Sequence, residues 1–195
     1  MGLEFASIMF RSGNYYLLQV RDVKVEGQKK GEYSFVFPGA VGTWGGKVED
    51  GEDHIEAMKR EIKEELEFEA PDNYELRQYN WKECLDEVYN EIFEAFDGNL
   101  LSFLGYRLDD EIPVSAMGHL RGKIKTYRDY ILKHKMDHFF IFDVDKEKFK
   151  YKLHEGRRGV WLHYDVVKAC VITPADKLVL LHDIVKRVKK GEIEI

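Results

Sequence analysis

Three closely spaced glutamates give the clearest chemical signal in this chain. Glu61, Glu64 and Glu65 lie in residues 53–66, where apolar residues recur at helical spacing. Residues three and four apart are neighbours on one side of a helix, at about 5 to 6 Å, so a helix here gathers three carboxylates. At an effective dielectric near 20, two unit charges about 6 Å apart repel by roughly 3 kcal/mol. A hard divalent cation such as Mg²⁺ takes oxygen ligands and would relieve this repulsion.

An exposed helix with alternating charge is the other interpretation of the stretch KREIKEEL, residues 59–66. The loop before the helix favours the metal site. It contains the pair Gly45-Gly46, which lets the backbone come close to a ligand, and Gly51, which permits a tight turn. A helix that is only solvated needs neither feature.

Residues 46–68 resemble the Nudix box, a pattern of fixed residue types at fixed spacing. The matching positions are Gly46, Glu52, Arg60, Glu61, Ile62, Glu64, Glu65 and Phe68. Glu67 stands where the family has its final Gly, beside the helix C-terminus. A left-handed backbone is often needed there, and a non-Gly residue in it costs on the order of 1 kcal/mol. The departure at Glu67 is expected to affect how the helix ends and not the carboxylates. Trp44 also replaces the proline that commonly precedes the glycine pair, which concerns the shape of the loop.

The resemblance implies a Mg²⁺-dependent hydrolase that cleaves a pyrophosphate bond in a nucleoside diphosphate linked to another group, with Mn²⁺ as a second cation that could serve. It implies Glu64 and Glu65 as principal metal ligands and Glu61 as a ligand or the general base. Arg60 would orient Glu61 by a charge-assisted hydrogen bond. Gly45 would offer a backbone carbonyl to the metal.

A second segment, EGRRGVW at residues 155–161, is similar to the Glu-Gly and Trp segment from which several Nudix members supply a further metal-binding Glu. On this resemblance Glu155 is a candidate ligand. The alternative is an ordinary hairpin loop in which Glu155 faces solvent.

Three residues are candidate contacts to the substrate, and Asp176 is the candidate for its nonphosphate end. Asp176 lies in the first turn of a predicted helix that begins at Thr173-Pro174, where it would serve as a capping residue. Its position also resembles the one from which base-reading members present an Asn to guanine, and an ionised Asp could accept from guanine N1 and N2. Arg21 would hold a phosphate or sugar nearby, and Gly46 would border the substrate.

The order of predicted elements favours an α/β fold with a mixed sheet, and the resemblance implies the Nudix α/β/α sandwich. Strands are predicted at residues 3–10, 15–21, 33–37, 137–144, 151–154 and 160–164. The chain reads as one domain, 1–195, with a helical insertion at about 78–135 that includes a helix near 124–135. The insertion could be extra core, a lid or a homodimer contact.

Composition narrows the classes of partner. A net charge of −6 in 195 residues argues against a general nucleic-acid binder, although the basic stretch at 121–135 could guide RNA. RNA 5′-cap or 5′-pyrophosphate hydrolysis is therefore one alternative, and a non-catalytic nucleotide-sensing module is another. Cys84 and Cys170 show no metal-ligand spacing. No stretch approaches the 18 or so apolar residues of a membrane span, so we expect a cytoplasmic protein without a membrane partner.

Overall fold

The computed structural model describes residues 3–21, 41–81, 134–154, 158–170, 172 and 174–194. Within these ranges the strands are β1 (Leu3–Ser12), β2 (Tyr15–Val20), β3 (Val41–Gly42), β4 (Trp44–Lys47), β5 (Glu75–Tyr79), β6 (His134–Asp143) and β7 (Arg158–His163). The helices are α1 (His54–Leu66), α2 (Tyr164–Ala169) and α3 (Pro174–Lys189).

The strands form one mixed sheet of seven, in which β3, β2, β1, β6 and β5 are neighbours in that order. β4 also pairs with β1, and β7 pairs with β2. The β1–β6 pair is parallel, with Ala6 opposite His138 and Phe10 opposite Phe142, and the other ladders are antiparallel. β1 is therefore the central strand, to which the glycine pair of β4 is attached.

The two faces of the sheet are covered by different helices. Successive side chains of a strand point to opposite faces. Ile8 and Phe10 of β1 pack in one buried cluster with Met58 and other residues of α1. Met9 packs in a second cluster with residues of α3. Thus α1 and α3 lie on opposite faces, which is the predicted α/β/α arrangement.

A buried carboxylate ties α3 to the sheet. The Asp183 side chain is fully buried and accepts hydrogen bonds from Arg11 Nη1 at 2.9 Å, Arg77 Nη2 at 2.8 Å and Tyr16 Oη at 2.8 Å. Glu75 extends the network, since its Oε1 accepts from Arg77 Nε at 2.8 Å and from Lys186 Nζ at 2.9 Å. These pairs explain how charged residues are tolerated inside this face.

Several predicted elements are confirmed to within a few residues: the first hairpin, α1, the start of α3, and the strands now called β6 and β7. The prediction of a strand at 151–154 is wrong, because these residues join no ladder of the sheet. The helix predicted near 124–135 is wrong at its end, since His134 and Lys135 begin β6. The rest of that helix, and the strand predicted at 33–37, lie outside the described residues.

Four elements were not predicted: β3, β4, β5 and α2. The glycine pair was expected in a loop but belongs to β4, and β5 and α2 had no expected counterpart. Among the described residues, no helix is long and apolar enough to span a membrane.

Candidate active site

Local hydrogen bonds fix the start of α1. Asp53 is the N-cap, and its Oδ1 accepts from the backbone N–H of Ile55 at 2.7 Å and of Glu56 at 2.9 Å. Glu56 Oε2 in turn accepts from the Asp53 N–H at 3.0 Å, which completes a capping box. Met58 and Ile62 are fully buried on the sheet. The helix is thereby held at its start and along its apolar side, which sets the direction of its acidic side chains.

Glu65 is held in a fixed orientation by two strands. The residue is only 4% exposed. Its Oε2 accepts from the Gly45 backbone N–H of β4 at 2.7 Å, and its Oε1 accepts from Gln19 Nε2 of β2 at 3.1 Å. Hydrogen bonds to a carboxylate favour its charged form and compensate for its burial. This carboxylate is therefore preorganised before any ligand arrives.

Arg60 links the acidic residues of the loop and the helix. Its Nε and Nη2 donate to the two carboxylate oxygens of Glu52 at 2.9 and 3.0 Å, the bidentate geometry that arginine favours. Nη1 donates to Glu61 Oε1 at 2.7 Å and to Glu64 Oε2 at 3.2 Å. The hydrogen bond with Glu52 is the main cause that raises the pKa of Arg60, and it likewise lowers the pKa of Glu52. The expected contact between Arg60 and Glu61 is present.

The glycine pair permits two close approaches. A Cβ placed on Gly46 would lie 2.3 Å from Glu61 Oε1. A Cβ on Gly45, whose φ is +108°, would lie 2.1 Å from the backbone oxygen of Ala6. Gly46 thus makes room for a carboxylate of α1, while Gly45 makes room for the neighbouring strand β1.

The donor set fits a hard divalent cation in its chemistry. Glu61, Glu64 and Glu65 supply carboxylate oxygens from successive turns of one helix, and the Glu64 side chain is 59% exposed. In the present side-chain arrangement, no three acidic, histidine or cysteine side chains of the described ranges converge on a point that could hold an ion. Arg60 hydrogen-bonds to oxygens of Glu61 and Glu64. A cation would therefore compete with Arg60 for these oxygens, and Glu64 has the exposure to reorient.

The left-handed backbone expected at the end of the helix is present at Glu67. Glu67, in the place of the family's Gly, is left-handed with φ 47° and ψ 40°, and its N–H bonds to the Lys63 carbonyl. Within the described ranges it is the one non-glycine residue with positive φ.

Of the three substrate candidates, Gly46 borders Glu61 within this cluster, whereas Asp176 lies on another helix. Asp176 is 9% exposed on α3, and its Oδ1 accepts from the Thr43 hydroxyl at 2.5 Å. Because α3 covers the face opposite α1, Asp176 is not among the box carboxylates. Arg21 directly follows β2 and is half-buried. Glu155 lies outside the described residues, but the N–H of the preceding His154 donates to the Glu65 carbonyl at 2.9 Å.

Two contributions to the site were not predicted. Gln19 holds Glu65, and its signal in the sequence was a single amide in the otherwise apolar and aromatic run YYLLQV. Glu52 braces the loop by accepting from the Glu49 N–H at 3.1 Å. It also anchors Arg60, a role that the spacing of the two residues did not reveal.

A family model described as the NUDIX domain matches residues 3–104, just over half of the chain. The chain belongs to the Nudix family. It is by class a Nudix pyrophosphohydrolase, and its Nudix box runs from β4 through the loop and α1 to Phe68. A search of curated proteins finds no match.

Solved structures resemble this Nudix chain at low identity. The dihydroneopterin triphosphate pyrophosphohydrolase of E. coli is 13% identical, with 94% of this chain and 95% of that chain covered and a TM-score of 0.50, which shows a shared fold. The MutT protein of Methanosarcina mazei Go1 is 15% identical over 96% and 95% of the two chains, with a TM-score of 0.48. A C. elegans Ap4A hydrolase is 15% identical over 95% and 98%, with a TM-score of 0.46. The predicted α/β Nudix fold with a mixed sheet is confirmed.

Proposed function

We propose that this chain is a Mg²⁺-dependent hydrolase that cleaves a pyrophosphate bond in a nucleoside diphosphate linked to another group. The observation that carries the proposal is the arrangement around α1, where Arg60 bonds to Glu52, Glu61 and Glu64 while Glu65 is fixed separately by Gly45. A helix that served only for solubility would not need a buried, doubly hydrogen-bonded carboxylate. Membership of the Nudix family supports the reaction class.

Each carboxylate has a distinct environment, which suggests distinct roles. Glu65, which is buried and held by two donors, is suited to be a ligand of fixed position. Glu64 is the most exposed of the three, so it can turn towards a cation or a substrate phosphate. Glu61 lies beside Gly46 and accepts from Arg60, and we assign it as a ligand or as the acceptor of a proton.

The cation would be held by Glu61, Glu64 and Glu65, with the Gly45 carbonyl and Glu155 as further candidates. When bound, it would neutralise charge on the diphosphate and lower the pKa of a water. Mg²⁺ is the proposed physiological ion, and Mn²⁺ would substitute because it takes the same oxygen donors. Among the box residues, Arg60 is suited to release Glu64 as the cation enters, while its bidentate pair with Glu52 keeps the guanidinium in place.

The remaining assignments are also proposals. Arg21, Gly46 and Asp176 are proposed to contact the substrate. A cytoplasmic location and a homodimer built on the insertion stay predictions, as does the division into one domain with an insertion at about 78–135. Most of the basic stretch at 121–135 lies outside the described residues, so nothing in the described part of the chain favours RNA over a small nucleotide.

A substrate panel tests the proposal. The protein would be incubated with Mg²⁺, and separately with Mn²⁺, on nucleoside triphosphates, nucleotide sugars, dinucleotide polyphosphates and capped RNA, and the released phosphates and nucleotides would be quantified. We expect hydrolysis of at least one small nucleotide derivative at the diphosphate, and its loss on adding a chelator. Binding without turnover on the whole panel would contradict the proposal and indicate a nucleotide sensor.

The panel also separates the RNA alternative. Turnover of RNA that falls with modest salt, while turnover of a mononucleotide does not, would show that phosphate contacts along a strand contribute to recognition. We expect the small-nucleotide activity to be the larger one.

A further inference from the structure

Glu67 occupies a backbone conformation that favours glycine. Its φ of 47° and ψ of 40° lie in the left-handed region, where a side chain costs on the order of 1 kcal/mol. A glycine would remove this cost. The side chain of Glu67 must therefore be explained by the contacts that it makes.

Glu67 binds two side chains from a distant part of the chain. Its Oε2 lies 2.9 Å from Lys152 Nζ and 2.8 Å from His154 Nε2. The three side chains are 54%, 72% and 43% exposed. Ion pairs at such exposure contribute little to stability. These contacts therefore do not offset the cost of the left-handed backbone by stabilising the fold.

Backbone hydrogen bonds bring the same two residues to the end of α1. The N–H of Lys152 donates to the Leu66 carbonyl at 3.1 Å, and the N–H of His154 donates to the Glu65 carbonyl at 2.9 Å. Carbonyls in the last turn of a helix lack partners within the helix. Residues 152–154 therefore supply partners for two of them, and Glu67 holds the side chains of the same residues.

This docking acts on the turn that carries Glu64 and Glu65. The Glu65 carboxylate is fixed by Gly45 and Gln19, and its carbonyl is fixed by His154, so both ends of the residue are constrained. Loss of the Glu67 contacts would loosen residues 152–154, and the last turn of the helix with them. The consequence would appear in the position of the carboxylates.

We propose that Glu67 is a positioning residue, which holds residues 152–154 on the last turn of α1 and thereby sets the carboxylates of that turn for a divalent cation. The inference rests on the proposed function. Glu67 itself points away to Lys152 and His154 and is not assigned as a ligand.

The test compares cation affinity with thermal stability in the full chain. The variant Glu67→Gly removes both side-chain contacts and also the backbone strain. We expect the melting temperature of the cation-free protein to stay the same or rise by roughly 2 to 4 °C, as for about 1 kcal/mol in a domain of this size. We expect the Kd for Mn²⁺, measured by calorimetry without substrate, to weaken about tenfold, as for residues that orient ligands. The Mn²⁺ concentration for half-maximal hydrolysis should rise in parallel, with little change of KM at saturating Mn²⁺.

Three further variants complete the design. Glu67→Gln keeps an oxygen acceptor and should recover part of the Mn²⁺ affinity. Lys152→Gln removes the cation that pairs with Glu67 and should also weaken Mn²⁺ binding. Glu69→Gly removes the same charge at an exposed residue two positions on and should leave the Kd unchanged.

A Kd for Glu67→Gly within twofold of the parent would overturn the inference. If the melting temperature fell as well, the role of Glu67 would be purely structural. If the parent binds Mn²⁺ and hydrolyses a nucleotide while Glu67→Gly matches it, only the positioning role fails. If the parent binds no Mn²⁺, the proposed function fails and this inference fails with it.

Discussion

The backbone N–H of Gly45 donates a hydrogen bond to Glu65 Oε2 at 2.7 Å. This contact joins β4, which is paired to the central strand of the sheet, to a carboxylate of α1. A change in the glycine pair is therefore transmitted to the acidic side of the helix. The two glycines should nevertheless respond differently, because their Cβ positions meet different atoms.

Gly46→Ala should impair activity more than folding. Its Cβ would lie 2.3 Å from Glu61 Oε1, the end of a side chain that can move. We expect turnover to fall by about 10²-fold, the effect of displacing a catalytic group by about 1 Å, with the melting temperature lowered only slightly. Steady-state kinetics at saturating Mg²⁺ and thermal unfolding would measure both quantities.

Gly45→Ala is the matched comparison. Its Cβ would meet the backbone oxygen of Ala6 at 2.1 Å, and its φ of +108° disfavours any side chain. We expect a markedly lower melting temperature. If Gly46→Ala kept turnover within a factor of three of the parent, the activity would not depend on the position of Glu61 beside Gly46.

The sequence predicted α1 well because its signals are local. The capping box at Asp53 and the buried stripe of Met58 and Ile62 depend on residues within a few positions of each other. The contacts of Glu65 with Gln19 and Gly45 span 46 and 20 residues and follow from the sheet, so spacing within the box could not reveal them.

Residues 151–154 show why a correct pattern can predict a wrong element. Tyr151 and Leu153 do alternate towards the core on the α1 face, as a strand would require. The backbone N–H groups of Lys152 and His154, however, donate to the end of α1 and not to a neighbouring strand. Alternation fixes which side is buried, but it does not identify the hydrogen-bond partner.

Thr43→Val tests the structural role of Asp176. The Asp176 side chain is buried and accepts from the Thr43 hydroxyl at 2.5 Å. Removal of this donor from a buried carboxylate should lower the free energy of unfolding by about 1 to 3 kcal/mol. Urea denaturation would measure the difference, and an unchanged midpoint would mean that the contact does not stabilise the fold.

Asp176→Ala tests whether the same residue reads the base. If it does, the variant should raise KM for a preferred guanine nucleotide and flatten the preference over adenine, while Thr43→Val keeps that preference. Equal losses for both bases, with a lower melting temperature, would show that Asp176 is only structural.

Glu155 should lie near the end of α1 in a structure with Mn²⁺. The N–H of the residue before it, His154, donates to the Glu65 carbonyl, which brings the chain to this turn. We expect the Glu155 carboxylate within reach of an ion shared with Glu61 or Glu65. A carboxylate directed to bulk solvent on the opposite face, with Mn²⁺ bound, would remove it from the ligand set.

Glu75 should contribute to the acid sensitivity of the fold. Burial alone would raise its pKa, but hydrogen bonds from Arg77 and Lys186 outweigh this and lower the pKa from 4.5 to about 2. A carboxyl whose pKa is lower in the folded state stabilises it above the unfolded pKa, and this contribution is lost as the pH falls. The stability difference between the parent and Glu75→Gln should thus be full above about pH 4.5 and shrink towards pH 2.

Unfolding by urea at a series of pH values would measure this difference. Glu69→Gln, at an exposed residue after α1, serves as the control for the removal of one charge. A parent-to-variant difference that is constant from pH 5 to about pH 2 would contradict the lowered pKa of Glu75.

Turnover of Glu64→Gln at saturating Mg²⁺ tests the central claim most directly. The Glu64 side chain is 59% exposed, so its substitution should leave the fold intact. An unchanged melting temperature would confirm this. Glu69→Gln serves as the control for the loss of one negative charge. The change deletes a ligand charge and relieves repulsion among three acids. We predict a fall in kcat of about 10²-fold or more, because a bound cation stabilises the transition state by several kcal/mol. Activity within a factor of a few of the parent would contradict the assignment of the α1 carboxylates as the metal site of this enzyme.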